Sequence, residues 1–164
     1  MYRTLALILT VFVAGCGASN SGRAISSENP NVISVHESDE EMNAAIAEAQ
    51  ATLQTFVEKT SPASPNVTNA TIKVKFPYDG GDEHIWVNDV VHESGTFTGT
   101  VDEDAIYAPG VRAGQRITVT ADRISDWLVV EDGVLHGGYT IKVLIRSLPP
   151  DQQNAIMAAY GVTN

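Results

Sequence analysis

The apolar residues of this chain change their period near residue 70, and that change limits the fold more than any other feature. Before it, Met42, Ala45, Ile46, Ala49, Leu53, Phe56 and Val57 recur at helical spacing inside "SDEEMNAAIAEAQATLQTFVEK" (38–59). Ser38 followed by Glu41 forms a capping box, with acids at the positive end of the helix dipole. After it, "TIKVKFPY" sets Ile72, Val74 and Phe76 against Lys73 and Lys75, and "EHIWVNDVV" alternates in the same way. A period of two means strands with one face buried. "GTFTGTV" is Thr-rich, and its Gly99 marks a bulge or a close approach. "APGVRAGQ" is a turn-rich connection, "RITVTADRISDWLVV" supplies one or two strands, and "EDG" (131–133) is a turn. "YTIKVLIRSL" is open between the two states: it alternates like a strand, yet Ile141, Leu144, Ile145 and Leu148 also fit a helix. "PPDQQNAIMAAYG" closes the chain as a helix, with Pro150 in its first turn and Gly161 as its stop. The expected fold is therefore α+β: an N-terminal helix, a curved antiparallel sheet of about four to six strands, and a C-terminal helical segment, with the helices on one face of the sheet.

The fold is expected to begin well inside the chain. Arg3 and the apolar run "LALILTVFVAG" have the form of a secretory leader, too short to span a bilayer comfortably. The leader ends in Val13-Ala14-Gly15-Cys16, which resembles the lipobox of bacterial lipoproteins. That resemblance implies lipidation of Cys16 and cleavage before it. Residues 1–15 are then a signal peptide, 16–37 a small, polar, flexible tether, and 38–164 a single domain. A tether of this length has an r.m.s. reach of about 25 Å. More than one acyl chain makes anchoring stable, since each buried CH₂ contributes about 0.8 kcal/mol. Gly17, rather than Asp, follows the cysteine. In a Gram-negative cell the resemblance then implies the periplasmic face of the outer membrane; in a Gram-positive cell it implies the outer face of the plasma membrane.

Cys16 is the single cysteine, so no intramolecular disulfide is possible and the exported domain must hold together by its core. The chain carries a formal charge of -10, and the leader would take Arg3 and no acid with it. That balance argues against a nucleic-acid partner, which needs a Lys/Arg surface, and against peripheral docking on anionic lipid. It permits a basic partner, although solubility alone also explains it.

The residues that carry chemistry are few. In a strand, Glu83, Ile85 and Val87 point one way while His84, Trp86 and Asn88 point the other, so Glu83 and His84 do not form a side-by-side acid–base pair. On an unbroken strand His92 would return to the His84 face, roughly 26 Å further along. A metal site would need His84, His136 and an acid such as Asp126 to converge from distant segments, and no HExxH or His-x-His spacing is present. Neither a metal nor any other cofactor is expected. Asp126 beside Trp127 in an apolar run is costly to bury unless hydrogen-bonded, and a buried indole wants an acceptor. The economical arrangement is a network in which Asp126 accepts from His84, from the Trp86 indole or from backbone N–H groups. There is no Gly-x-Ser-x-Gly elbow and no phosphate loop. No catalytic residue is assigned; His84 and Asp126 are the candidates, and Glu83, His84, Trp86, Asp126, Trp127 and Tyr139 are candidate binding residues.

"DEHIWV", "FTGTV", "GQRITVTADRISDW" and "GGYTIKVL" follow one another in an order and spacing that resemble the YegJ-like family of bacterial proteins, and the helix "MNAAIAEAQATLQTF" looks like that family's first helix. The resemblance covers about residues 38–147. It implies a fold and an order of elements, and no activity, since the family is a domain of unknown function. Three readings remain open. The chain is a non-enzymatic binding module on a lipid tether, meeting an envelope protein through a sheet face or the loops at 102–115. Alternatively it is a hydrolase or metal-dependent enzyme built on His84 and Asp126. Or it is a structural or stress-related envelope protein with no dedicated ligand.

Overall fold

The computed structural model describes residues 23–25, 33–35, 39–61, 66–146 and 148–163. The expected leader, Cys16 and much of the expected tether lie outside the described residues. Within the tether segment, β1 (Arg23–Ile25) and β2 (Ile33–Val35) pair as a separate two-stranded antiparallel sheet.

Helix α1 (Glu40–Ala51) starts from Asp39, whose carboxylate accepts the Met42 N–H at 3.0 Å. The capping residue is thus Asp39; Ser38 lies outside the described residues. The helical run is not continuous to Lys59. Thr52 interrupts it, and α2 (Leu53–Lys59) follows. Met42, Ala45, Ala49, Leu53 and Phe56 are buried, and Ile46 and Val57 partly so, as the helical period predicts.

Six strands form one antiparallel sheet: β3 (Val67–Tyr78), β4 (Gly81–Glu93), β5 (Thr96–Val101), β6 (Arg116–Thr120), β7 (Ile124–Glu131) and β8 (Val134–Gly137). Their order is β6-β5-β4-β3-β7-β8. "RITVTADRISDWLVV" is two strands, separated by a 3₁₀ turn at Ala121–Arg123. β7 and β8 join through Asp132 (φ 51°) and Gly133 (φ 76°), the left-handed pair that a tight hairpin requires. Register shifts fall at Val67/Asn69, Lys73/Val74 and Asn88/Val91, and such bulges bend and twist the strands that hold them.

The open question at residues 139–148 resolves as a helix, α3 (Tyr139–Ile145), followed by α4 (Pro150–Ala159). The chain can turn out of β8 into α3 because Gly137 and Gly138 both adopt positive φ (73° and 66°). A side chain at Gly137 would collide with the Trp127 carbonyl oxygen.

Helices cover both faces of the sheet, not one. Residues alternate across β7: Trp127 and Val129 join a core with Ala49, Leu53, Phe56, Ile72, Val74, Ile85 and Phe97. Leu128 and Val130 join a second cluster with Ile141, Ile145 and Ile156, flanked by Trp86, Tyr160 and Val162. β7 is buried from Ile124 to Val130 because both faces are covered. That explains why "ISDWLVV" reads as a continuous run rather than as alternation.

Candidate functional site

The residues with the most chemistry gather on the second face, across the three central strands. Lys73 of β3 stands opposite Trp86 of β4 and opposite Asp126 of β7. The bulge at Lys73/Val74 makes this row possible. Ser125 is the extra residue, so Ile124 keeps its place in the first core while Asp126 faces Lys73.

Asp126 is fully buried and accepts four hydrogen bonds. Its Oδ1 takes the Trp127 N–H at 2.8 Å and the Tyr139 N–H at 3.1 Å; its Oδ2 takes the Thr140 N–H at 2.8 Å and the Thr140 hydroxyl at 2.6 Å. A strand carboxylate therefore caps the first turn of α3, satisfying N–H groups that Gly138 has no side chain to satisfy. Of the three partners expected for Asp126, the backbone N–H groups are the actual ones; His84 and the Trp86 indole do not donate to it. Trp127 points to the opposite face, fully buried. Its Nε1–H donates to the Ala49 carbonyl at 3.0 Å and lies 3.2 Å from Thr52 Oγ1, tying β7 to the α1/α2 break. Tyr139 stacks edge-on against Trp127, and its hydroxyl lies 3.0 Å from Thr52 Oγ1.

His84 pairs with Ser125, Nδ1 to Oγ at 2.8 Å. The Ser125 hydroxyl donates to the Lys73 carbonyl at 3.3 Å, which leaves the imidazole Nδ1–H as the donor to Ser125. Burial and the neighbouring Lys73 lower the His84 pKa to about 4, so the ring is neutral at pH 7. The other histidines do not join it. His136 stands opposite Val129 on the first face, 3.7 Å from Glu131, which also holds Lys59 at 2.7 Å. His92 does not return to the His84 face: the bulge between Asn88 and Val91 adds a residue, and His92 stands opposite Phe97 on the first face, ring centroids 4.7 Å apart. The convergence of His84, His136 and Asp126 therefore does not occur. Among the described residues, no three His, Cys, Asp or Glu side chains gather as a metal-binding group.

Lys73 at the centre of this row, and Glu103, Thr140 and Tyr160 near it, were not singled out by sequence pattern. The Lys73 ammonium lies 4.9 Å from the Trp86 ring centre and 3.5 Å from Thr140 Oγ1. Burial lowers its pKa, against the pull of Asp126 and Glu103. Burial, together with Asp102, Asp126 and Glu103, pushes the Tyr160 phenol up to about 12. Glu103 is raised by desolvation and by Asp102 and Glu83. The one signal in the sequence was a lysine at the centre of the central strand. In an alternating pattern it reads as a solvent-facing residue, and its half-burial comes from neighbours such as the Trp86 ring and Thr140 at the start of α3.

Glu83 works elsewhere, on the first face. Its carboxylate accepts three consecutive backbone N–H groups, from Ile106 at 2.7 Å and from Tyr107 and Ala108 at 2.8 Å each. The six candidate residues thus form no single site. Trp86 and Asp126 share the Lys73 row with His84 beside it, Trp127 and Tyr139 brace the helices, and Glu83 holds the β5–β6 loop.

With this geometry established, the chain can be placed. Residues 39–163 match the model of the DUF2314 family, described as an uncharacterized protein conserved in bacteria, and the chain belongs to that family. It is similar to the uncharacterized protein YegJ of Escherichia coli K12, 29% identical over 119 residues, which are 71% of this chain and 75% of YegJ. It is also similar to a Neisseria meningitidis serogroup B protein that carries an ankyrin-repeat name, NMB1133/NMB1171. They are 27% identical over 136 residues, which are 78% of this chain but only 54% of that protein. No solved structure matches the chain.

Proposed function

We propose that this chain is a lipid-anchored protein of the bacterial cell envelope that acts as a non-enzymatic interaction module. Asp126 carries the reading. The residue best suited by type to act as acid, base or ligand has its oxygens engaged by four donors within the fold and no exposure to solvent. Ser125, the nearest hydroxyl to a histidine, is equally buried, and its proton is directed at a backbone carbonyl. These are the bonds of a braced scaffold rather than of a nucleophile and its base. The anchor half of the reading rests on Val13-Ala14-Gly15-Cys16 behind an apolar leader. Among the described residues no helix is long and apolar enough to cross a membrane.

The test is the NMR titration of His84 in the mature chain, with and without zinc. The scaffold reading expects an apparent pKa near 4 and no response to equimolar zinc. Titration near neutrality, with resonances that move with those of His136 on adding zinc, would reverse it in favour of an enzyme. For the anchor, Cys16→Ser is expected to move the protein out of the membrane fraction. Unchanged partitioning would remove the lipid from the account.

A further inference from the structure

We infer that the β5–β6 loop, together with the β3–β4 turn, is a docking surface for a protein segment that presents an apolar or aromatic side chain flanked by Lys or Arg. The inference rests on reading the chain as an interaction module, and it names the surface and the chemistry of the partner.

The first observation is the length and order of the loop. Adjacent antiparallel strands need only about two to five linking residues. Here β5 ends at Val101 and β6 begins at Arg116. The intervening chain closes on itself like an Ω-loop. Val101 N–H bonds the Gln115 carbonyl and Gly114 N–H the Val101 carbonyl, both at 2.9 Å. Ala105 N–H bonds the Val111 carbonyl at 3.2 Å, and Asp104 accepts from Ala113 N–H at 2.8 Å. The Glu83 carboxylate then fixes Ile106, Tyr107 and Ala108 from below.

The second observation is what this clamp presents. Ala108 turns inward and is buried, while Ile106 and Tyr107 are left 48% and 38% exposed. Tyr107 stacks on Tyr78 at the end of β3, ring centroids 5.2 Å apart, so the exposed apolar surface continues onto the β3–β4 turn. A loop that served only as a connection gains nothing from holding two large apolar side chains in solvent. A loop already ordered in this way loses little conformational entropy when a partner covers it, and an aromatic set in a rigid frame is the usual form of an interface anchor.

The third observation is charge. Residues 79–83 and 102–115 hold Asp79, Asp82, Glu83, Asp102, Glu103 and Asp104 against a single cation, Arg112. Desolvation, and after it crowding by Asp102 and Glu83, raises the affinity of Glu103 for a proton. Lysine or arginine on the partner relieves that crowding, and an acidic partner worsens it. Glu83 and Asp104 already accept backbone N–H groups of the loop, and Asp102 accepts from Asn88. The two segments still keep a net negative charge, which selects a basic partner with an apolar centre.

The test uses the mature chain in phosphatidylcholine nanodiscs, ¹⁵N-labelled, and two capped peptides: Lys-Trp-Leu-Lys and its charge reversal, Glu-Trp-Leu-Glu. The basic peptide is expected to shift amides within 78–83 and 102–112 and to bind at least tenfold more tightly than the acidic one. Its affinity should fall with added salt, and Ile106→Asp with Tyr107→Ala should weaken it at least tenfold while amides elsewhere keep their positions. Equal affinity for both peptides, or no shift by either at millimolar concentration, overturns the inference. Shifts confined to Trp86, Tyr160 or the outer face of β5 and β6 also overturn it, but leave the interaction-module reading standing. Failure of that reading is registered separately, by the His84 titration.

Discussion

Asp126 shows how much one side chain can organise. Its carboxylate joins a strand to the start of a helix 13 residues later in the chain, through backbone N–H groups of both. Asp126→Asn keeps the shape but turns an NH₂ group toward two of the four donors. The loss is expected to be about 2–4 kcal/mol, because buried donors would be left facing a donor. Urea denaturation measures it, and faster hydrogen exchange at Tyr139 and Thr140 would place it at α3. An unchanged midpoint would mean the cap is dispensable. His84 gives the residue-scale pH dependence. Its folded pKa, about 4, lies below the unfolded value near 6.5, so the unfolded chain takes up the proton first. Stability is full above about pH 6.5 and falls as pH drops toward 4, by on the order of 2–3 kcal/mol. In His84→Gln that component of the slope should vanish; the same slope in both proteins would assign the acid sensitivity to other groups. Both residues stand out in the sequence as polar groups among apolar ones, but their partners, Thr140 and Ser125, carry no mark there.

At the scale of elements, the bulges explain most of what alternation alone misplaces. In β4 the extra residue at Asn88–Val91 turns His92 to the face opposite His84. Gly99 of β5 faces that bulge, and a Cβ there would come within 2.6 Å of Val87 Cγ1 and 2.7 Å of the Asn88 carbonyl oxygen. Gly99→Ala is therefore expected to cost about 2 kcal/mol or more, since backbone rather than a flexible side chain must give way. Thermal melting reads the effect; a change below about 0.5 kcal/mol would mean that the bulge relaxes freely. The glycine was legible as a bulge or close contact, and it is the close contact made by a bulge in its neighbour. The first helix, the strands, the 131–133 turn and the last helix were legible because each has its own period or punctuation. The 139–148 segment was not, because its apolar spacing satisfies both periods. The positive φ at Gly138 and the cap from Asp126 decide it.

Across the whole molecule, β7 belongs to both hydrophobic clusters, one through Trp127 and Val129 and the other through Leu128 and Val130. The domain should consequently unfold as one unit, as single domains of this size usually do. Phe56→Ala, in the first cluster, is expected to lower stability by about 3–5 kcal/mol, and Ile156→Ala, in the second, by about 2–4 kcal/mol. In each variant, tryptophan fluorescence and far-UV circular dichroism should follow a single coincident transition; separate transitions would show that the faces fold independently.

The sequence by itself determined the α+β class, the succession of elements outside residues 139–148 and the faces of β4 as far as Asn88, because hydrophobic period, capping acids and glycine turns act over a few residues. It also marked Glu83, His84 and Asp126 as residues in need of partners, since burying a polar group demands one. Only the tertiary structure decided who those partners are. Hydrogen bonds between Asp126 and α3, between His84 and a bulged serine, and between Glu83 and a loop more than 20 residues away depend on strand order and register. Register is set by the packing of whole faces against one another, and no local spacing in the chain records it.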